Sequence, residues 1–187
     1  MLVSVVGFAL LVAACGGSSS SGKATTDTTT PSGGTTPTGG TTHVAKTATA
    51  DPSESAKMVC AKEAVDEINT VLAENAKVST PTWVDHVYSC DYVYPEGKMS
   101  LHVKEVSSPD ETTAYYNSLA DKYGKKQDLQ GLGDGAFVTK NGNVVVRKDF
   151  KVLLIDVSAL PKNFAGDTSE NDAINVAATI MGCWTGA

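Results

Sequence analysis

Three apolar runs follow one another in residues 135–160: "GAFVTK", "NVVVRK" and "KVLLIDVSAL". Their β-branched side chains favour extended backbone, and turn residues separate them. Asn141-Gly142, between the first two, suits a type I′ hairpin turn. Lys148-Asp149-Phe150-Lys151, between the second and third, reads as another hairpin turn with a solvated charge cluster. Consecutive hairpins make neighbouring strands antiparallel, so an antiparallel sheet is the frame on which the rest must pack.

Upstream, "WVDHVYSCDYVY" (Trp83–Tyr94) reads as one strand, and Pro95-Glu96-Gly97 as a turn. In the strand that follows, Met99, Leu101 and Val103 alternate with Lys98, Ser100, His102 and Lys104. That alternation gives one dry and one wet face, and it leaves His102 solvated. Three helices complete the pattern. Asp51-Pro52-Ser53-Glu54 begins the first, and Ala61, Ala64, Val65, Ile68 and Leu72 carry it at helical spacing to about Asn75. Ser108-Pro109-Asp110-Glu111 begins the second, with Tyr115, Tyr116, Leu119 and Tyr123 inward and Gly124 at its end. Ser169 begins the third, with Ile174, Ala177, Ala178 and Met181 inward. The order α-β-β-α-β-β-β-α predicts an α+β fold, with an antiparallel sheet of about five strands and three helices packed mainly on one face.

The head spans residues 51–187. Residues 15–50 are mostly Gly, Ser and Thr with a few Pro, and "TTDTTTPSGGTTPTGGTT" lies at their centre. Such a composition buries too little apolar area to offset ordering entropy, so it reads as a tether reaching about 30 Å. Residues 1–14 are apolar or small, a length that suits a secretory signal and is too short to span a bilayer. Val12-Ala13-Ala14-Cys15 resembles a bacterial lipobox. That resemblance implies a diacylglycerol on the Cys15 sulfur and attachment to the outer face of the cell membrane.

The formal net charge of -6 argues against a nucleic-acid partner. Arg147 is the single arginine, which rules out clamps built from several guanidinium groups. An exported head lies where disulfides persist. Cys60 and Cys90 sit on consecutive elements and form the expected pair, closing a loop worth about 3 kcal/mol. Cys60–Cys183 is the alternative; in the first case Cys183 is left as an odd thiol beside Trp184.

No constellation carries a recognisable reaction. "GLGDGA" (Gly131–Ala136) precedes a hairpin rather than opening a helix, so it reads as a turn bringing backbone close to a neighbouring helix, with Asp134 capping it. Asp85-His86 and Cys90-Asp91 bring ligand-type residues together without completing a zinc set. A serine hydrolase needs His86 or His102 as base, yet no GxSxG elbow is present. No cofactor, metal or catalytic residue is expected. Trp83, Tyr88, Tyr92 and Tyr94 form the candidate binding surface, since aromatic side chains anchor interfaces.

The lipobox, the Thr-rich tether, a helix cysteine matched with "SCDY" on a strand, and "GLGDGA" before a valine-rich hairpin resemble small lipoproteins of actinobacteria. That resemblance implies a compact α+β sandwich. Some members look like the extracellular sensor domains of mycobacterial serine/threonine kinases, and others like the Mog1/PsbP scaffold. It carries over no catalytic residue. The expected function is a lipid-anchored, non-catalytic binding or sensor-like module of the cell envelope, with a small ligand or an envelope protein as partner. The alternatives are a secreted hydrolase, or an inhibitor-like protein docking through the Asn141-Gly142 hairpin.

Overall fold

The valine-rich runs set the centre of the sheet in the computed structural model, which describes residues 51–185. The expectations for residues 1–14 and 15–50, including Cys15, lie outside the described residues. The three runs become β6 (Gly135–Thr139), β7 (Val144–Lys148) and β8 (Lys151–Ala159), each antiparallel to the next. β3 (Val87–Tyr94) and β4 (Gly97–Glu105) form the hairpin that joins them through β8. β1 (Lys77–Val78) and β2 (Thr82–Val84) both pair with β3, and β5 (Lys125–Leu129) closes the far edge beside β6. The sheet thus has eight strands rather than about five. The three additions are short or charged: "KV", "TWV" and "KKQDL". Edge strands of that kind lack the apolar alternation that betrays a strand.

Two differences in turn chemistry explain the rest. The stretch Trp83–Tyr94 is not one strand, because Asp85 and His86 both adopt positive φ (51° and 57°) and turn β2 back onto β3. Two successive left-handed residues make the type I′ turn that matches strand twist. At Asn141-Gly142 only the glycine is left-handed (φ 82°), and Gly142 N–H donates to the Thr139 carbonyl at 3.0 Å. That loop has three residues and ends in a glycine bulge, in place of the expected two-residue turn.

The first helix is broken. Ser53, not Asp51, caps α1 (Glu54–Met58), accepting from Ala56 N–H at 3.2 Å; α2 (Lys62–Leu72) follows after a gap. The gap has a cause in the sheet. Tyr92 Oη donates to the Val59 carbonyl at 2.7 Å, and a disulfide joins Cys60 to Cys90 with Cα atoms 6.1 Å apart. Both contacts draw residues 59–60 down onto β3 and take them out of helical continuity. α3 (Pro109–Tyr123) starts as read: Ser108 Oγ accepts from Glu111 N–H at 3.2 Å, and the Glu111 carboxylate accepts from Ser107 N–H and Oγ. α4 (Ser169–Thr185) is capped by Thr168. Its inward stripe is Ala173, Val176, Ala177, Ile180, Met181 and Trp184; Ile174 is half-buried and Ala178 exposed, so the face is turned from the one expected.

The helices do not share one face, and there are four among the described residues. α1, α2 and α4 cover Cys90, Tyr92, Met99, Leu101, Val103, Val144, Val146, Leu153 and Ile155. α3 lies on the opposite face over Phe137, Val145, Val152 and Leu154, with Tyr116 and Leu119. The reason is legible in β6–β8. Alternate residues of a strand point to opposite faces, and these strands are apolar at both parities, so each face needs a cover. α3 packs mainly on β6, β7 and β8. The same face of β3 and β4 therefore stays open, and there it is polar.

Candidate functional site

The aromatic surface expected from sequence divides in two. Tyr92 and Tyr94 are core residues, 0 and 4% exposed, and cannot form a surface. Tyr92 is committed to Val59, and the Tyr94 ring packs on Phe164 with centroids 4.7 Å apart. Trp83 and Tyr88 are half-buried cross-strand partners at the end of the sheet, and Trp83 meets the His86 ring edge-on at 5.6 Å. His86 and Asp85 are exposed on their turn. Among the described residues no group of three or more His, Cys, Asp or Glu is arranged to hold a metal ion. No cysteine among them is free, so Cys183 is not the odd thiol expected; it is 2% exposed, beside Glu67 of α2.

The open half of the sheet gathers residues that are scattered in sequence. Ser89 faces His102 across β3–β4, and Asp91 faces Ser100. Ser89, Asp91 and His102 line a shallow cavity of about 120 Å³ with Ser79, Thr80 and Thr82. His102 is half-buried rather than solvated, and burial lowers its pKa below the ordinary value. Asp91 accepts from Lys98 Nζ at 2.8 Å and Ser100 Oγ at 2.6 Å, which lowers its pKa. Ser89 Oγ shares a hydrogen bond with Thr82 Oγ1 at 3.1 Å. The carboxylate is thus committed to Lys98 and Ser100, and the serine to Thr82. Neither is coupled to the imidazole as a nucleophile–base–orienter chain requires.

A larger cleft, about 350 Å³, opens between α3 and the turn joining β5 to β6. The "GLGDGA" segment builds it. Gly131 and Gly133 hold positive φ (78° and 56°), and a Cβ on Gly133 would lie 2.5 Å from the Arg147 carbonyl oxygen. Only glycine fits there. The backbone closes on strand β7, not on a helix: Asp134 N–H donates to the Arg147 carbonyl at 2.8 Å. Asp134 caps the next hairpin instead of its own turn, its Oδ2 accepting from Asp149 N–H at 2.9 Å. The opposite wall is Tyr116, whose ring meets Phe137 edge-on at 4.9 Å and carries the Arg147 guanidinium 5.4 Å from its centroid. Arg147 Nη1 donates to Thr113 Oγ1 at 3.0 Å, while its Nε is buried without a hydrogen-bond partner. Asp128 and Gln130 complete the rim, and Lys125 Nζ lies 2.5 Å from Asp128 Oδ1. Burial, then the charge of Asp128, raises the Tyr116 pKa, which keeps its phenol protonated.

Sequence reasoning singled out the glycines of this cleft but missed Tyr116, Asp128 and Arg147 as its walls. Those three stand on different elements, and only the pairing of β5, β6 and β7 brings them together. Comparison with known protein families, curated proteins and solved structures finds no match. No helix among the described residues is long and apolar enough to cross a membrane.

Proposed function

We propose that the chain is a lipid-anchored, non-catalytic binding module at the outer face of a bacterial cell membrane, of the kind found among small lipoproteins of actinobacteria. The cleft between α3 and the glycine-rich turn carries this reading. It is the larger of the two cavities described, it lies between sheet and helix, and polar groups from several elements converge on it. Helices on both faces of one antiparallel sheet make an α+β sandwich, the class that the resemblance implies. The Cys60–Cys90 disulfide suits an oxidising compartment. The Val12–Cys15 motif supplies the anchor, a diacylglycerol on Cys15, and residues 15–50 the tether. No nucleic-acid partner and no cofactor enter this reading.

The test is native mass spectrometry of the chain purified from its own host, run intact and denatured. A small molecule that leaves on denaturation, and a mature chain starting at a diacylated Cys15, are the expected results. An unmodified Cys15 sinks the anchor. A clean apo mass shifts the weight to a protein partner. The hairpin at Asn141-Gly142 is a poor docking tip, because Gly142 is buried against Glu170 of α4. A secreted hydrolase is the weaker second reading: Ser89, Asp91 and His102 share a cavity, but Ser89 bonds to Thr82 and Asp91 to Lys98 and Ser100. Labelling of Ser89 by a fluorophosphonate probe would establish it.

A further inference from the structure

Resting on that reading, we propose that the cleft at the glycine-rich turn takes a neutral polyhydroxylated ligand, a saccharide, and not an anion. The argument starts from what Arg147 can still offer. A guanidinium holds phosphate or carboxylate by a planar fork of two parallel donors. Here Nη1 is already donating to Thr113, and Nε is buried beside Gly135, where a Cβ would lie 3.0 Å from it. One face of the guanidinium lies over the Tyr116 ring. Burial closes the Nε side of the fork and Thr113 engages Nη1, so neither two-donor edge of the guanidinium is wholly free.

The other charges in the cleft point the same way. Asp128 and Asp134 are both acidic lining groups, and their carboxylates accept but do not donate. An anion would meet their repulsion, with Lys125 already paired to Asp128 and Arg147 already bonded to Thr113. A lone cation would meet that arginine. A hydroxyl group both donates and accepts, so a ligand bearing several suits carboxylates, Gln130, a protonated Tyr116 and glycine-rich backbone together.

The experiment is saturation-transfer-difference NMR on the purified full chain. The probes are trehalose, maltose and methyl mannoside, with inorganic phosphate as the anionic comparison. Signal is expected from at least one neutral sugar, unchanged between low and high salt because no net charge is screened. The variants are Asp128→Ala and Gln130→Ala, both on exposed rim residues, each checked by circular dichroism. Loss of the Asp128 hydrogen bond should weaken sugar binding about tenfold. Binding of phosphate but not sugar overturns the proposal, as does sugar binding that neither variant affects. A co-purifying ligand that is not a saccharide, displaced by the same variants, overturns the ligand class and keeps the binding module. Failure of all probes, together with a clean apo mass from the native host, overturns both.

Discussion

At the scale of single residues, Asp172 and Tyr94 join Arg147 as side chains with a buried, unpartnered polar atom among the described residues. Asp172 is 2% exposed on α4, and its Oδ2 is buried without a hydrogen-bond partner. Burial, with the charge of Asp167 added, pushes its pKa from 3.8 up to about 6. The native state thus holds this proton more tightly than the unfolded chain does. The consequence has a definite sign: stability is unaffected below about pH 4, falls as pH rises from about 4 to 6, and stays lower above that. Asp172→Asn should raise the urea midpoint at pH 7.5 by the equivalent of about 1–3 kcal/mol and leave it unchanged at pH 4. A gain of equal size at both pH values would show that the carboxylate charge is not the cause. Tyr94 poses a related case. Its hydroxyl is also buried without a partner, so Tyr94→Phe removes an unmet group and keeps the ring on Phe164. Removing it should be neutral or slightly stabilising. Tyr92→Phe, by contrast, strands the Val59 carbonyl and should cost about 1–3 kcal/mol in the same urea measurement.

At the scale of elements, the break between α1 and α2 is held by the link from Cys60 to Cys90, which closes a loop of 30 residues. Replacing both cysteines by alanine should lower stability by about 3 kcal/mol through the freedom returned to the unfolded chain. Denaturant unfolding measures it, and an unchanged midpoint would mean that Tyr92 and the core already hold the segment. The start of α3 rests on one hydroxyl, so Ser108→Ala should cost about 1 kcal/mol. This cap was fully legible in sequence, as were β4, β6, β7 and β8, because local rules decide them: a capping residue, alternation, and β-branched runs between turns. The helix break was not. It depends on Tyr92 and Cys90 reaching across from a strand some 30 residues away in sequence, and nothing in Val59-Cys60-Ala61 announces it. The turn at Asp85-His86 was hidden for another reason. Aspartate and histidine tolerate left-handed backbone better than most residues, but the flanking valines and aromatics outweighed that signal.

At the scale of the molecule, one sheet serves two cores. Val144 and Val146 face α1, α2 and α4, while Val145 between them faces α3; Leu153 and Leu154 divide likewise on β8. The two clusters share the backbone of β6–β8, so neither face can lose its cover without loosening the strands that support the other. The wall of the cleft depends on the same strands, since Arg147 stands on β7 and Ala136 on β6. Which face each valine takes is set by parity along the strand, and parity was readable; that both faces would be covered required knowing where α3 lands. The last turn of α4 is tied in as well: Trp184 Nε1 donates to the Ser55 carbonyl at 2.8 Å, joining α4 to α1 across the sequence. This predicts a single cooperative transition. Trp83 is half-buried at the sheet end and Trp184 is buried, and they are the two tryptophans of the chain. In a Trp83→Phe variant, emission therefore reports the α1–α2–α4 side alone. Its unfolding curve should coincide with far-UV circular dichroism, which reports all elements, and with the fluorine NMR signal of a fluorotyrosine placed at Tyr116 on α3. An earlier transition in the tyrosine signal would mean that α3 leaves while the rest stays folded. The cleft would then open by the departure of its helical wall, and ligand binding would raise the temperature of that first transition alone.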